Sequence, residues 1–141
     1  MSSQLGHGDW EPQPRPLRVM SLSAVVVTAV AVGDYCSFCV TAEGAVFSWG
    51  LSPSLGHGGG AADDPLGVEH PVPRRVVGLR HVRVVALAAG PSHTLAACAN
   101  GRAYGWGIAA DDTLGMPQLR GGDALSPVAY DSRLRIDVAP G

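Results

Sequence analysis

The first stretch that could do chemistry is His57-Gly58-Gly59-Gly60. A His-Gly-Gly-Gly run supplies oxyanion-hole N–H groups in esterases, which also need a Gly-x-Ser-x-Gly turn to present a nucleophilic serine. The nearest candidates, around Ser52 and Ser92, lack the closing glycine. We therefore keep hydrolase only as a remote alternative.

The three cysteines offer a possible metal site. Cys36 and Cys39 form one Cys-x-x-Cys pair, which Cys98 and His93 could complete to the four ligands of a structural zinc. Three residues apart on a strand, however, Cys36 and Cys39 would point to opposite faces. Three irregular cysteines also make no secreted disulfide framework. We expect core thiols in a reducing compartment, cytoplasm or nucleus, with no metal and no cofactor.

All ten basic residues are arginine, which excludes P-loop and Schiff-base lysines. A group of four arginines could meet phosphate, but no aromatic residues are interleaved with it and the net charge is −2. We interpret it as a solvated loop face and expect no nucleic-acid partner. The group consists of Arg74, Arg75, Arg80 and Arg83. No catalytic, cofactor-binding or metal-binding residue is predicted, and the chain is not expected to be an enzyme.

The elements that would position these residues form an internal repeat. Residues 14–50 align with 71–107 at a constant offset of 57 without a gap, so that Gly44–Gly50 returns as Gly101–Gly107. A Leu-Gly-His-Gly segment also recurs, and its third copy has decayed to Leu-Gly-Met-Pro. The three copies are Leu5–Gly8, Leu55–Gly58 and Leu114–Pro117.

Each copy contains three strand patterns and a glycine turn. Both alternating faces of the first strand are apolar, so we expect it to be covered on both sides. Residues 51–73 and 108–132 are predicted to be loops. The predicted strands are 24–32, 35–41 and 45–49, then 82–89, 93–98 and 102–106, with 133–138 beginning a third set.

The apolar run of residues 19–42 does not predict a membrane span. Gly33-Asp34 interrupts it after about a dozen residues, which is too short for a span. Its aligned copy also contains Arg80 and Arg83. We expect no membrane partner.

Four-stranded antiparallel units of about 50 residues with a recurring tryptophan predict propeller blades. Each small sheet would cover the next. The predicted division is a tail of a preceding repeat (1–13), a first repeat (14–58), an inserted loop (59–70), a second repeat (71–115), and a loop with the start of a truncated third repeat (116–141).

Three segments carry a family resemblance: LAAGPSHTLAACANGRAYGWG at 87–107, SLGHG at 54–58 and PRRVVGL at 73–79. Together they resemble the regulator of chromosome condensation repeat, over about residues 4–141. The resemblance implies an all-β fold of four-stranded antiparallel blades, about two blades of an incomplete seven-bladed propeller. It also implies structural roles for a few residues, with the histidines bracing loops and the tryptophans in the blade cores: His7, His57, His93, Trp49 and Trp106.

The resemblance implies binding functions. Family members exchange nucleotide on small GTPases, contact chromatin, inhibit β-lactamases or serve as modules in ubiquitin ligases and kinases. We therefore expect a non-catalytic protein-binding module, with a guanine-nucleotide exchange factor for a small GTPase, or a fragment of one, as the alternative. The Gly-Trp-Arg-His-Thr signature of the family's plant UV-B photoreceptor has no tryptophan at its matching places, 33–37 and 90–94, so light sensing is not expected. A small GTPase, chromatin or a ubiquitin-pathway component is a possible partner.

Two repeats cannot close a ring of blades. The strand faces that carry Val25, Val27 and their copies Val82 and Val84 expect neighbours on both sides. Valine exposed there would lose about 1.5 kcal/mol or more of burial free energy. We expect residues 1–141 alone to self-associate, aggregate or fold loosely, and flanking repeats to restore a monomeric propeller.

Overall fold

The computed structural model describes residues 3–51, 53–58, 69–108 and 124–130. In these residues the fold is all-β and consists of two four-stranded antiparallel sheets, as predicted, with short 3-10 turns at Met20–Leu22, Pro53–Leu55 and Val77–Leu79. The first sheet has strands β1 (Val27–Val32), β2 (Cys36–Thr41), β3 (Val46–Gly50) and β4 (His70–Arg75). The second has β5 (Val84–Ala89), β6 (His93–Cys98), β7 (Ala103–Gly107) and β8 (Ala124–Ala129).

Each sheet is a meander in which consecutive strands pair. The turn between the second and third strands contains a glycine with positive φ, Gly44 at +81° and Gly101 at +80°. Glycine reaches this conformation without the steric cost that other residues meet. The matched turns show that the 57-residue repeat is a structural repeat.

The two fourth strands correct the sequence prediction. β4 begins inside 51–73 and ends two residues beyond it, and β8 lies within 108–132, although both ranges were predicted to be loops. Prolines had favoured that interpretation, but an edge strand accepts proline because one side of its backbone needs no ladder partner. The strand predicted at 133–138 and most of the predicted inserted loop lie outside the described residues. The boundaries of the repeats stay a prediction.

The core lies between the two sheets. Phe38 of β2 meets Trp106 of β7 edge to face, with ring centroids 6.4 Å apart. Phe38 and Val40 cover one side of the first sheet, and Val84 and Tyr104 cover the facing side of the second. Phe38 and Trp106 fill the gap between the two sheets, neither of which could bury both of its own faces alone.

The first strand of the first sheet is not covered on both sides. Val30 is 74% exposed and Val32 is 70% exposed. Val30 lies opposite Cys39 in the ladder and Val32 opposite Ser37, on the side that faces away from the second sheet. No other sheet of the described residues covers that side. Within the described residues no helix is long and apolar enough to cross a bilayer.

Candidate functional site

Ser54, the residue before the second Leu-Gly-His-Gly segment, accepts a hydrogen bond from the tryptophan of the second sheet. Trp106 is fully buried, and its Nε1–H donates to the Ser54 carbonyl oxygen at 2.6 Å. Thr94 Oγ1 donates to the same oxygen at 3.3 Å. Because a buried indole N–H needs a partner, this contact fixes the loop against the sheet.

The first sheet has the same arrangement. Trp49 Nε1–H donates to the Gln4 carbonyl oxygen at 2.7 Å, and Ser37 Oγ donates to it at 2.9 Å. Gln4 precedes the first Leu-Gly-His-Gly segment just as Ser54 precedes the second. We call each such contact of carbonyl, indole and hydroxyl a latch.

A glycine makes each latch possible. A Cβ at Gly56 would lie 2.8 Å from Trp106 Nε1, and one at Gly6 would lie 2.8 Å from Trp49 Nε1. Both glycines also have positive φ, +82° and +77°. The glycine therefore lets the backbone approach the indole, which explains the recurrence of the segment without any oxyanion chemistry.

Ser48 and His57 come together but do not form a nucleophile and base. Ser48 Oγ donates to the Leu55 carbonyl oxygen at 2.7 Å, so it accepts rather than donates at its 3.0 Å contact with His57 Nε2. An activated serine must instead donate its proton to the histidine. Ser48 is also 0% exposed, out of reach of a substrate. The contact holds the loop to β3, and the esterase interpretation gains no support from it.

Cys36 and Cys39 lie on opposite sides of the first sheet, as expected. Cys36 is in the core between the sheets, with its Sγ 3.7 Å from Ser54 Oγ, whereas Cys39 lies opposite Val30 on the outer side. All three cysteines are buried, and none of them forms a disulfide. Burial raises the pKa of Cys39 to about 11, and it also raises the pKa of Cys98. Protonated thiols are poor metal ligands, and the described residues contain no group of three or more potential ligands.

His93 and His57 pack against neighbouring residues. A Cβ at Gly90 would lie 2.7 Å from the His93 ring, so this ring sits directly on the turn before β6. His57 lies edge to face with His70, with ring centroids 5.1 Å apart. His7 is half-buried in the first Leu-Gly-His-Gly segment. A bracing role for these side chains stays a prediction.

Two of the four grouped arginines, Arg83 and Arg75, have different surroundings. Arg83 spans the two sheets, donating from Nη2 to the Ala42 carbonyl oxygen at 2.9 Å. Arg75 instead lines a pocket of about 350 Å³ on the outer side of the first sheet, together with Glu43, Phe47 and Val25. Most of the other lining residues are apolar, and Arg75 and Glu43 carry opposite charges.

An exposed apolar patch at one end of the first sheet was not predicted. Tyr35 is 57% exposed and Leu51 36% exposed, and the Leu51 N–H donates to the Tyr35 carbonyl oxygen at 2.8 Å. Leu5 is also exposed, and its neighbour Gln4 donates from Nε2 to the Asp34 carbonyl oxygen at 2.6 Å. We call Leu5, Tyr35 and Leu51 the blade-end patch. The sequence contains one signal of this patch, because the aromatic Tyr35 aligns with the polar Ser92 in the second copy of the repeat.

Comparison with known families agrees with the repeated four-stranded sheets described above. Residues 1–40 and 43–97 match the family described as "Regulator of chromosome condensation (RCC1) repeat", and residues 84–111 match a second family of the same description. The chain belongs to the RCC1 repeat family. The predicted family is therefore confirmed.

Several curated relatives are longer than this chain. The Arabidopsis thaliana ultraviolet-B receptor UVR8 is 31% identical, over 96% of this chain and 32% of its own length. The Arabidopsis thaliana RCC1 domain-containing protein RUG3, mitochondrial, is 37% identical over 82% of this chain and 25% of its own. Human E3 ubiquitin-protein ligase HERC2 is 33% identical over 79% of this chain and 2% of its own. The chain thus spans about a third or less of these relatives.

Solved structures give the same fold. Human WBSCR16 is 28% identical, with a TM-score of 0.64 over 77% of this chain and 27% of its own. Prp20p from Saccharomyces cerevisiae is 20% identical, with a TM-score of 0.65 over 79% of this chain and 27% of its own. The two sheets are therefore propeller blades of the RCC1 type, the first blade comprising β1–β4 and the second β5–β8.

Proposed function

We propose that the chain is a non-catalytic module that binds a protein partner through the blade-end patch. The observation that carries the proposal is the exposure of Tyr35 beside Leu51, at one end of the first blade. Tyrosine buries a large area at low entropic cost and is enriched in interfaces. Ser48, which is buried, and His57, which is half-buried, contact each other within the fold.

Relatives and similar structures support protein partners. One similar structure is yeast RCC1 (Prp20) bound to Kap60, and the Prp20p structure is described together with its binding properties to Gsp1p and histones. HERC2 is named as a ubiquitin ligase. A small GTPase, chromatin or a ubiquitin-pathway component is accordingly the class of partner that we propose. The three cysteines form no disulfide, which favours a reducing compartment, the cytoplasm or the nucleus.

Direct binding to purified candidates tests this proposal. The immobilised chain would be exposed to Gsp1p, core histones and Kap60 in biolayer interferometry. We expect at least one to bind, and the double variant Tyr35→Ser, Leu51→Ser to weaken binding about tenfold or more, which corresponds to about 1.4 kcal/mol. Val77→Ser is the control, since Val77 is exposed on the turn between the blades. Absence of binding to all three would refute a partner of the GTPase or chromatin class. Equal binding by the double variant and the Val77→Ser control would refute the role of the blade-end patch.

The alternative is nucleotide exchange on a small GTPase. The likeness to Prp20p, with its reported binding to Gsp1p, favours it. Release of a fluorescent guanine nucleotide from Gsp1p distinguishes the two, because a binding module leaves the release rate unchanged. A rate that rises with catalytic amounts of this chain would replace our proposal with an exchange factor.

A further inference from the structure

The charged side chains around the first sheet are sorted between its two ends. Because consecutive strands run antiparallel, the connection from β1 to β2 and the connection from β3 to β4 lie at the same end, which also carries the blade-end patch. Asp34 precedes Tyr35 in the first of these connections, and Glu69 directly precedes β4 in the second. Each connection at this end therefore carries a carboxylate next to the patch.

The arginines in and beside the two sheets lie at the opposite end, where β4 finishes and β5 and β7 begin. They are Arg74, Arg75, Arg80, Arg83 and Arg102. Two others, Arg15 and Arg18, lie before the turn Met20–Leu22, which packs on β4. Among the described residues, Glu43 is the one carboxylate at the arginine-rich end, in the turn between β2 and β3.

A second exposed aromatic residue extends the blade-end patch towards Glu69. Trp10 is 51% exposed, and the Gly8 N–H donates to the Pro71 carbonyl oxygen at 2.9 Å, which holds this segment beside the start of β4. Hydrogen bonds from the Trp10 side chain and from the Ser3 N–H lower the pKa of Glu69. An ionised carboxylate is therefore fixed beside an exposed indole at neutral pH.

Two more carboxylates belong to the same segment. Asp9 and Glu11 stand on either side of Trp10 in the sequence, and Asp9 Oδ1 accepts a hydrogen bond from the Glu11 N–H at 3.1 Å. An acidic partner would meet like charges here, and like-charge contacts across an interface are strongly unfavourable. Apolar side chains accompanied by carboxylates instead match a partner that is apolar at its centre and basic around it. The four carboxylates are Asp9, Glu11, Asp34 and Glu69.

We propose that the segment which docks on the blade-end patch is basic, with arginine or lysine side chains on both sides of an apolar anchor. This inference rests on the proposed function, because it names the partner chemistry of the same patch. The exposed apolar side chains would cover the anchor, and Asp34 and Glu69 would each face a cation. Exposed charge pairs of this kind are screened by salt, so the affinity should depend on ionic strength.

Fluorescence anisotropy with defined peptides tests the proposal. The probe is a short fluorescein-labelled peptide in which a pair of leucines is flanked on each side by a pair of arginines. A matched peptide has citrulline, the uncharged analogue of arginine, in place of every arginine. We expect the 141-residue chain to bind the arginine peptide about tenfold or more tightly than the citrulline peptide at neutral pH and about 50 mM salt. This preference should shrink at about 300 mM salt, where charges are screened over a shorter distance.

Two charge reversals at exposed positions test the location of the contact. Asp34→Arg should weaken binding of the arginine peptide about fivefold or more, because it replaces an attraction by a repulsion. Glu43→Arg makes the same change in net charge at the opposite end. It lies about 20 Å away, one strand length, which exceeds the screening length of about 10 Å at 0.1 M salt. Glu43→Arg should therefore leave binding unchanged, and far-UV circular dichroism would establish that both variants keep their sheets.

The outcomes separate this inference from the proposed function. No binding of the arginine peptide, or equal effects of the two charge reversals, would overturn the basic partner. If both peptides bind equally and the double variant Tyr35→Ser, Leu51→Ser weakens both, the patch remains a docking site and only the basic character of the partner is wrong. If the double variant binds the arginine peptide as tightly as the unmodified chain does, the patch is not the docking site, and both proposals fail.

Discussion

Replacing Gly56 with alanine should destabilise the protein strongly, because this glycine makes room for a buried indole. Its added Cβ would lie 2.8 Å from Trp106 Nε1 and 3.1 Å from Cε2. Neither atom can give way freely, since Nε1 is bonded to the Ser54 carbonyl oxygen at 2.6 Å and the ring is fully buried.

Two costs add at this position. Alanine at a φ of +82° costs about 1–2 kcal/mol relative to glycine. Moving the indole far enough to relieve the clash weakens a buried hydrogen bond, and a buried N–H left unsatisfied costs about 1–3 kcal/mol. We expect Gly56→Ala to lower the free energy of unfolding by about 2–5 kcal/mol in total.

Gly101→Ala is a matched control, because Gly101 has nearly the same φ but nothing within 4 Å of its Cβ position. It should lower the free energy of unfolding by about 1–2 kcal/mol only. Urea unfolding followed by tryptophan fluorescence would measure both variants, at a concentration at which sedimentation shows a single species. Equal losses for the two variants would show that the close approach to Trp106 contributes nothing to stability.

Three further outcomes follow from the buried polar contacts. Trp106→Phe should lower the free energy of unfolding by about 2 kcal/mol in urea titrations, because the Ser54 carbonyl loses its indole donor. Ser48→Ala should lower it by about 1–3 kcal/mol and leave partner binding unchanged, because Ser48 bonds only within the fold; a binding defect with normal stability would contradict this. The pKa of Cys39 is raised by burial from 9.0 to about 11. Since the unfolded thiol ionises first, the free energy of unfolding should fall as pH rises from about 9 to about 11, and urea titrations of Cys39→Ala should show a smaller fall.

Most of the fold could be predicted from the repeat and the strand patterns. β6 occupies the predicted residues 93–98, and β2 begins one residue later than predicted. The tryptophans are in the blade cores, as the resemblance implied, and the opposite sides of Cys36 and Cys39 follow from strand geometry. These features depend on local pattern, which is fully present in a single copy of the repeat.

The features that were missed depend on partners distant in sequence. The sequences of β8 and β4 agree only at Pro127, which matches Pro73. The two prolines are 54 residues apart, which differs from the constant repeat offset of 57. Pairing with β7, which local propensity does not report, makes it a strand. The latch was missed for a similar reason, because its acceptor is a backbone carbonyl and any residue can supply one. Its one sequence signal is the glycine, which survives as Gly115 in the decayed third copy.

The two copies of the repeat also separate architecture from recognition. Residues that hold the blades together stay the same at the 57-residue offset, as Trp49 and Trp106 do. Ser48 and His57 are both replaced in the second copy, which has Gly105 and Met116 at the matching places. Joint replacement is expected of two residues that contact each other. Tyr35, in contrast, changes to Ser92 without any loss of the turn that carries it. A side chain that the fold does not require, yet that exposes an aromatic ring, is the place where binding specificity can be added to a repeated scaffold.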